Sequence, residues 1–219
     1  MHYVPEKDIF QFDILSQPIY EAVVAHAVFT RRKDITDLPE NACAFTNQEH
    51  GTKTWVVTDR TRNIPHTGDI IITTMRQTPI VIRIADCASV ILFDPVRKVI
   101  ANIHAGWRGL AQKGIAKTIS ILQKRFSTER ADLIACVSPL VGPCCCVFTD
   151  PQKELPKFMH PYILEENHID LWGAAEGQLL ASGLAKKNIE IARVCTFCTP
   201  EHFHSFRRDK EKAGRFGTA

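Results

Sequence analysis

The sequence predicts an α+β (mixed α/β) fold, in which buried strands and amphipathic helices form layers. Three observations carry this prediction. A central block is dense with Ile and Val, the apolar spacing becomes helical after Gly109, and no repeat or Gly/Ser/Pro linker divides the chain. Strands that follow one another closely and are then mixed with helices favour this class over a regular βαβ alternation.

The central block contains four predicted strands. Their apolar residues point to both faces, so we expect them to be buried between layers. They span residues 69–74, 79–84, 89–93 and 99–103.

The remaining elements follow in a mixed order. Residues 110–126 predict an amphipathic helix, because apolar residues recur there at helical spacing opposite polar and basic ones. A strand at 133–137, helices at 151–159 and 174–184, and a strand at 189–194 complete the prediction.

The composition is that of a globular chain that needs no cross-links to fold. The 219 residues are 45% hydrophobic and 23% charged. A chain of this length buries about 70% of the surface that its unfolded form exposes. The net charge of +3 is too small for a dedicated nucleic-acid binder, so we expect a small-molecule partner.

The sequence indicates a cytoplasmic protein. Residues 1–7 carry no apolar stretch of a secretory signal, and the longest uncharged run, 133–149, is too short to cross a bilayer. Eight cysteines in a core-rich chain of this kind are expected to stay reduced. We therefore expect neither a membrane partner nor a disulfide framework.

A hairpin is predicted where the turn-rich residues 94–98 separate two β-branched runs. A turn centred between Pro95 and Val96 places Cys87 opposite His104. Directly opposed side chains have Cβ atoms about 5 Å apart, so the thiol and the imidazole would meet at the open end of the hairpin. A cysteine beside a histidine is also common in a buried core, and on hairpin geometry alone this interpretation stays open.

The residues after His104 form a strand-to-helix turn that suits an anion. Its glycines, Gly106 and Gly109, flank Arg108, and the helix N-terminus aims free N–H groups at a bound group. Arg108 adds a planar cationic fork that fits phosphate or carboxylate. The alternative is a helix cap with a surface arginine. His50, which ends a polar stretch, can reach the same point from another strand end.

Several motifs between residues 45 and 217 follow one family's pattern. They are QEHG at 48–51, GDIIIT at 68–73, ADC at 85–87, HAGWRG at 104–109, CT at 195–196, FHSFRRD at 203–209 and GR at 214–215. In these motifs the chain resembles the multicopper polyphenol oxidoreductase, or laccase-domain, family, which includes peptidoglycan editing factors and purine nucleoside phosphorylases. The resemblance implies a single domain over residues 1–219, of layered α/β/β/α type with mixed sheets and flanking helices.

The resemblance also implies a metal site. His50, Cys87 and His104 match the family's zinc ligands, and copper is the alternative metal. Two histidines and one thiolate leave one coordination position open, as in catalytic zinc sites. Similar proteins cleave adenosine, inosine, guanosine and 5′-methylthioadenosine with phosphate, and deaminate adenosine.

The resemblance therefore implies a purine nucleoside phosphorylase with adenosine deaminase activity. Arg108 is expected to bind phosphate, and the late pair Arg207 and Arg208 to add positive charge. Asp69 and Asp86 are candidate general acids for the leaving base.

The chain departs from the family pattern at two places. Cys146-Val147-Phe148 replaces a Tyr-Glu-Val run, so the family's nucleoside preference does not carry over to this chain. Glu49 replaces a valine beside the proposed ligand His50. The metal ligands themselves are unchanged.

Three other functions were weighed. A copper-dependent polyphenol oxidase needs more clustered imidazoles than nine histidines readily supply. Cys87 and His104 would also make the nucleophile and base of a thiol hydrolase linked to peptidoglycan editing, a reaction that a chelator would not abolish. The third alternative is a non-enzymatic domain that binds peptidoglycan precursors or a partner protein.

Cys195 and Cys198 are interpreted as buried thiols. Cys195 and Cys198, with His202 and His204, can be read as a second zinc site or a redox pair, but no spacer of zinc-finger length follows them. The adjacent cysteines 144–146 are not expected to form a site on their own.

Overall fold

The computed structural model describes residues 1–21, 23–33, 43–58 and 66–219. The strands in these ranges are β1 His2–Val4, β2 Ile9–Gln11, β3 Val28–Phe29, β4 Thr46–Asn47, β5 Thr54–Val57, β6 His66–Thr67, β7 Ile70–Thr73, β8 Ile82–Ile84, β9 Ala88–Asp94, β10 Val99–Ala105, β11 Ile134–Val137, β12 Ile189–Ile191 and β13 Phe216–Thr218. The α-helices are α1 Pro18–Glu21, α2 Trp107–Ala111, α3 Gly114–Phe126, α4 Pro151–Glu154, α5 Leu171–Ala181 and α6 Phe206–Asp209. Single turns of 3-10 helix lie at Lys157–Tyr162, Glu165–Asn167, Lys186–Asn188 and Lys210–Lys212.

Two sheets form the framework. A six-stranded mixed sheet has the order β12-β11-β9-β10-β7-β5, with parallel pairing at β11/β12 and β5/β7. A five-stranded antiparallel sheet has the order β1-β2-β3-β13-β8. The short strands β4 and β6 pair separately and in parallel.

The six-stranded sheet is buried on both faces because its side chains alternate between two cores. On β9, Val90 and Leu92 pack with the apolar faces of α3 and α5. Ile91 and Phe93, on the opposite face, pack with side chains of the five-stranded sheet such as Ile82 and Phe216. The order of layers is therefore helices, six-stranded sheet and five-stranded sheet. No helix in the described ranges combines the length and apolarity that a membrane crossing needs.

The predicted hairpin is present, but its predicted register is wrong. Asp94 pairs with Val99, and His104 lies opposite Ser89 rather than Cys87. The reason lies in the turn, where the Asp94 carboxylate accepts hydrogen bonds from the backbone N–H groups of residues 96 and 97, each at 2.9 Å. This cap moves the turn centre by one residue. The partner of His104 therefore changes by two residues, from Cys87 to Ser89, and an even shift keeps every side chain on its predicted face.

The long helix predicted at 110–126 is two helices. α2 ends at Ala111, and Lys113 adopts left-handed backbone angles, with φ of 59°, before α3 begins at Gly114. Gly114 suits this junction, since a Cβ there would lie 3.1 Å from the carbonyl oxygen of Gly109. The helix predicted at 151–159 is likewise divided, into α4 and a 3-10 turn.

The predicted strand 79–84 is shorter and more exposed than expected. Only Ile82–Ile84 form a strand, at an edge of the five-stranded sheet. Arg83 within it is exposed while Ile82 and Ile84 are buried, because successive side chains of a strand point to opposite faces. The strands predicted at 69–74, 89–93 and 99–103 are buried as expected.

Candidate metal centre

Three predicted ligands meet at one end of the six-stranded sheet. His104 lies near the end of β10, Cys87 immediately precedes β9, and His50 lies in the segment that leads into β5. One donor atom from each of the three lies within 4.8 Å of the others. The imidazole rings of His50 and His104 meet edge to face, with centroids 4.8 Å apart. The structure therefore brings these three side chains together, although the predicted register that placed Cys87 directly opposite His104 is wrong.

Asp69 holds two parts of this centre in place. It immediately precedes β7 and lies opposite His104, whose backbone N–H donates to the Asp69 carbonyl oxygen at 2.7 Å. The fully buried Asp69 carboxylate also accepts a hydrogen bond from His104 Nδ1 at 2.7 Å. The N–H groups of Glu49, His50 and Gly51 donate to the same carboxylate at 3.2, 2.9 and 2.8 Å.

These contacts decide which ring nitrogen of His104 is available. Because Nδ1 donates its hydrogen to Asp69, Nε2 is the atom that can bind an electrophile. A carboxylate behind a metal-binding histidine is a recurrent arrangement that fixes the tautomer and raises the basicity of the ligand. Asp69 is therefore a positioning residue, which sequence reasoning named only as a candidate acid.

The charges at the centre favour ionised groups. Burial acts to raise the pKa of Asp69, but hydrogen bonds from His104 and the Gly51 N–H outweigh it and hold that pKa below its usual value. Burial also acts to raise the pKa of the Cys87 thiol, yet the two imidazoles bring it down to about 7. The pKa of His104 is raised to about 9, because Asp69 and Cys87 outweigh the effect of burial. The metal-free centre thus holds an easily ionised thiol, which a soft or borderline cation can bind as thiolate.

The backbone approaches the centre closely. A Cβ at Gly106 would lie 2.6 Å from Cys87 Sγ and 3.8 Å from His50 Cδ2, so only glycine fits there. His50 and Asp86 both adopt left-handed backbone angles, with φ of 61° and 80°. Such conformations persist where surrounding contacts hold them, and here both lie beside the metal-binding side chains.

Asp86 is held by three contacts from later parts of the chain. Its carboxylate accepts a hydrogen bond from Thr196 Oγ1 and one from the Arg207 N–H, both at 2.6 Å. Its carbonyl oxygen accepts one from the Val141 N–H at 3.0 Å. These contacts fix the residue that precedes Cys87. Because both carboxylate oxygens are engaged, Asp86 is not free to serve as the general acid that the sequence suggested.

The predicted phosphate cradle differs from expectation. The helix begins at Trp107 rather than near residue 110, and α2 has only 5 residues. Arg108 is exposed and its guanidinium lies over the Trp107 ring, 4.4 Å from the centroid. Trp107 in turn contacts Phe148 edge to face at 5.5 Å, so one residue of the departing Cys146-Val147-Phe148 run lies beside the HAGWRG turn.

Arg207 and Arg208 both make hydrogen bonds within the fold. Arg208 donates to the backbone carbonyls of Thr196, Phe197 and Phe203 and pairs with Asp209. Arg207 contributes its backbone N–H to Asp86. The contacts of Arg208 are therefore internal to the fold.

Relatives of this chain carry the same name across distant bacteria. A protein of Aquifex aeolicus named purine nucleoside phosphorylase is 35% identical over 151 residues, which cover 68% of each chain. A protein of Bacteroides thetaiotaomicron with that name is 33% identical over 159 residues. That match covers 68% of this chain and 59% of the relative, so the chain spans less than two thirds of the Bacteroides protein.

One solved structure has a similar fold, and one family model matches most of the chain. The crystal structure of YlmD from Geobacillus stearothermophilus superposes with a TM-score of 0.82 at 23% identity, over 96% of this chain and 97% of that one. This likeness confirms the predicted mixed α/β layered fold. A family model described as multi-copper polyphenol oxidoreductase laccase matches residues 21–219. The chain therefore belongs to that family, as its motifs indicated.

Proposed function

We propose that this chain is a zinc-dependent purine nucleoside phosphorylase that also deaminates adenosine. The observation that carries the proposal is the convergence of His50, Cys87 and His104, with Asp69 fixed behind His104. The name shared by the Aquifex and Bacteroides relatives supports the reaction class.

The donor set fits zinc. Two imidazole nitrogens and one thiolate are ligands that zinc prefers, and three protein ligands are the number found in catalytic zinc sites. The hydrogen bond from His104 Nδ1 to Asp69 presents Nε2 as a neutral, basic ligand. The same donors also suit copper, which binds nitrogen and sulfur sites more tightly than zinc, so copper remains the alternative metal.

In phosphorolysis, an oxygen of phosphate bonds to C1′ of the ribose while the bond from C1′ to the purine nitrogen breaks. The base leaves with the bonding electrons and takes up a proton, which gives free base and ribose 1-phosphate. A bound zinc ion supplies Lewis-acid polarisation and lowers the pKa of an oxygen ligand. In deamination, water adds at C6 of adenine and ammonia leaves.

The residues of the chain orient these reactants. Asp69 stays ionised and fixes the His104 ring, and Gly106 lets the backbone pass directly beneath Cys87. Arg108 presents a guanidinium to solvent four residues after His104, and the described residues provide it with no carboxylate partner. We assign Arg108 to the phosphate, since a planar fork of donors binds phosphate oxygens in pairs.

A nucleoside panel with and without phosphate tests the reaction. We expect phosphate-dependent release of adenine or hypoxanthine, and loss of both this activity and the zinc of this centre in Cys87→Ala and His104→Ala. Cys136→Ala is the matched control, since Cys136 is a fully buried thiol outside the cluster of His50, Cys87 and His104. Ammonia release that does not require phosphate, without base release, would replace the phosphorylase with a deaminase.

Arg108 has its own test. Arg108→Gln should raise the KM for phosphate by about tenfold, which corresponds to about 1.4 kcal/mol of lost binding. Arg76→Gln is the control, because Arg76 is an exposed arginine beyond the opposite end of β7 from Asp69. An unchanged KM for phosphate in Arg108→Gln would remove Arg108 from the site.

One observation favours a second candidate, a thiol hydrolase. Asp69, His104 and Cys87 lie in the order of an orienting carboxylate, a base and a nucleophile. The two functions respond oppositely to a chelator. Removal of metal should abolish phosphorolysis, whereas a free-thiolate hydrolase would keep or gain activity and lose it to a thiol alkylating agent.

A further inference from the structure

Four cysteines outside the metal centre converge on one point. The sulfur atoms of Cys144, Cys145, Cys195 and Cys198 all lie within 4.8 Å of one another. Cys195 is buried, Cys145 is half-buried, and Cys144 and Cys198 are exposed. The interpretation of Cys195 and Cys198 as buried thiols is therefore wrong for Cys198, which is exposed. His202 and His204, which the sequence grouped with Cys195 and Cys198, are not in this cluster.

Backbone contacts bring the two cysteine-bearing loops together. Leu140 and Cys195 form a parallel bridge, and the Thr196 N–H donates to the Leu140 carbonyl oxygen at 3.1 Å. In the first loop, the N–H groups of Cys145 and Cys146 both donate to the Gly142 carbonyl oxygen, at 3.0 and 2.9 Å. This tight turn gives Cys145 and Cys146 different surroundings, with Cys146 buried in the helix-side core.

The second loop is fixed by polar side chains. Thr199 Oγ1 donates to the Cys195 carbonyl oxygen at 2.9 Å. The Arg208 guanidinium donates to the carbonyls of Thr196 and Phe197 at 2.9 and 3.0 Å, so a positive charge lies against the loop that carries two of the sulfurs. The Gly142 N–H donates directly to Cys195 Sγ at 3.2 Å. This N–H donor favours a thiolate over a neutral thiol at Cys195.

The spacing of the sulfurs matches a single ion. Cys145 and Cys198 have sulfurs 3.4 Å apart, and those of Cys144 and Cys198 are 3.7 Å apart. Four sulfurs at about 2.3 Å from one tetrahedral zinc lie about 3.8 Å from one another. An iron–sulfur cluster distributes its thiolates over several iron atoms and needs a wider arrangement.

We propose that Cys144, Cys145, Cys195 and Cys198 bind one zinc ion as a closed tetrathiolate site, distinct from the centre formed by His50, Cys87 and His104. Four protein ligands fill the coordination of zinc, so this site is structural and leaves no position for a substrate. Its effect is to join loops that are about 50 residues apart in the chain, beyond the parallel bridge that already links them.

Metal content of single variants tests the proposal without any activity measurement. Protein prepared with zinc and a reductant under anaerobic conditions should hold two zinc ions per chain. Cys198→Ala should hold one, Cys87→Ala should hold one, and the double variant should hold none. Cys146→Ala is the matched control and should keep both, because Cys146 belongs to the same run of cysteines but lies outside the cluster.

The same measurement separates this site from the proposed catalytic centre. If the wild type holds one zinc that Cys87→Ala keeps and Cys198→Ala loses, the tetrathiolate site stands and the catalytic proposal fails. If Cys198→Ala holds as much zinc as the wild type, or Cys87→Ala holds none, the tetrathiolate site is overturned.

Alkylation of the wild-type protein gives a second readout that does not depend on how any variant folds. Cys144 and Cys198 are exposed, so as free thiols they would be accessible to iodoacetamide, which labels them at alkaline pH. Bound to zinc, they should resist labelling until a chelator is added. Labelling without a chelator would contradict the proposal. So would protection that only a reductant removes, since this would identify a disulfide.

Discussion

At the metal centre, a single carboxylate serves two segments of the chain. Asp69 accepts hydrogen bonds from His104 Nδ1 and from the backbone of residues 49–51, which carry the other histidine ligand. The side chain is fully buried, and these bonds supply the donors that an ionised carboxylate needs there. A change at Asp69 should therefore disturb both histidines without removing a ligand.

Asp69→Asn should weaken zinc binding at this centre by about 10- to 100-fold. The amide nitrogen of asparagine would face N–H donors, and the negative charge that supports His104 is lost. Competition with a chromophoric chelator measures the affinity of the centre, in a Cys198→Ala background that leaves only this site.

Asp94→Asn is the control for Asp69→Asn. Asp94 is as buried as Asp69, and its carboxylate also accepts hydrogen bonds from backbone N–H groups. It lies at the end of β9 that is farther from Cys87. Zinc affinity should be unchanged in this variant. Equal affinities for Asp69→Asn and the wild type would show that Asp69 does not position the ligand.

The grouping of the three candidate ligands could be predicted from the sequence, whereas Asp69 could not be given its place behind His104. His50, Cys87 and His104 lie in short motifs whose residue types suit zinc. A motif is recognised from contiguous residues, so an error in the predicted strand register does not affect it. The role of Asp69 depends on β7 pairing with β10, so that Asp69 continues the register opposite His104. Pairing between strands distant in sequence leaves no local signal. The cysteine cluster was missed for the same reason, since a bridge between Leu140 and Cys195, residues far apart in the sequence, brings its two loops together.

Among the elements, α3 shows how local backbone preferences decide where helices end. Its apolar side chains Ile115, Ile119 and Leu122 are buried, as their spacing predicted. The amphipathic pattern extends back to residue 110, yet the helix is interrupted at Lys113, which adopts left-handed angles. Side-chain periodicity indicates which face of a helix is buried. It does not reveal a break in the helix when the same face stays buried on both sides of the break.

The C-terminal end of α3 offers a stabilising change. Ser127 adopts left-handed angles, with φ of 56°, and the Thr128 N–H donates back to the Leu122 carbonyl oxygen at 3.4 Å. Glycine is the residue that this type of helix end favours. Ser127→Gly should raise the free energy of unfolding by about 0.5–1 kcal/mol, measured by urea denaturation. Ser127→Ala keeps the Cβ and should give no gain, so equal stabilisation by both changes would refute the backbone explanation.

For the molecule as a whole, a buried histidine makes stability depend on pH. The His26 Nε2 accepts a hydrogen bond from the Phe12 N–H at 2.8 Å, which requires the neutral ring. Burial lowers the pKa of His26 from 6.5 to about 4, although the Glu190 carboxylate acts to raise it. His2 also acts to lower it. The unfolded chain therefore binds a proton at this histidine at a pH where the folded chain does not.

The free energy of unfolding should fall as the pH is lowered from about 6.5 to about 4, with a contribution from His26 of about 3 kcal/mol when complete. Above pH 6.5 the contribution is fully present, because the ring is neutral in both states. Urea denaturation at a series of pH values measures the slope. His26→Gln keeps a hydrogen-bond acceptor and removes the titration, so its slope in this window should be smaller once the two proteins are matched at pH 8. Parallel slopes would show that another group causes the acid destabilisation.

At this scale the sequence predicted the layering well. Ile- and Val-rich strands buried on both faces, followed by amphipathic helices, led to the mixed layered fold that the YlmD structure shares. The division of the strands between two sheets was beyond the sequence, because β13, near the end of the chain, pairs with β3 and β8. Such pairing is set by packing between distant segments rather than by local pattern.

The long hairpin of β9 and β10 has a practical consequence for protein engineering. Its turn lies at the end of the sheet opposite His104 and Leu140, and strands of 7 residues separate the two ends. At about 3.3 Å per residue, that distance is about 20 Å. Val96, at the tip, is 60% exposed. A fluorescent reporter inserted after Val96, or a circular permutation that opens the chain there, would leave both sulfur-bearing clusters intact.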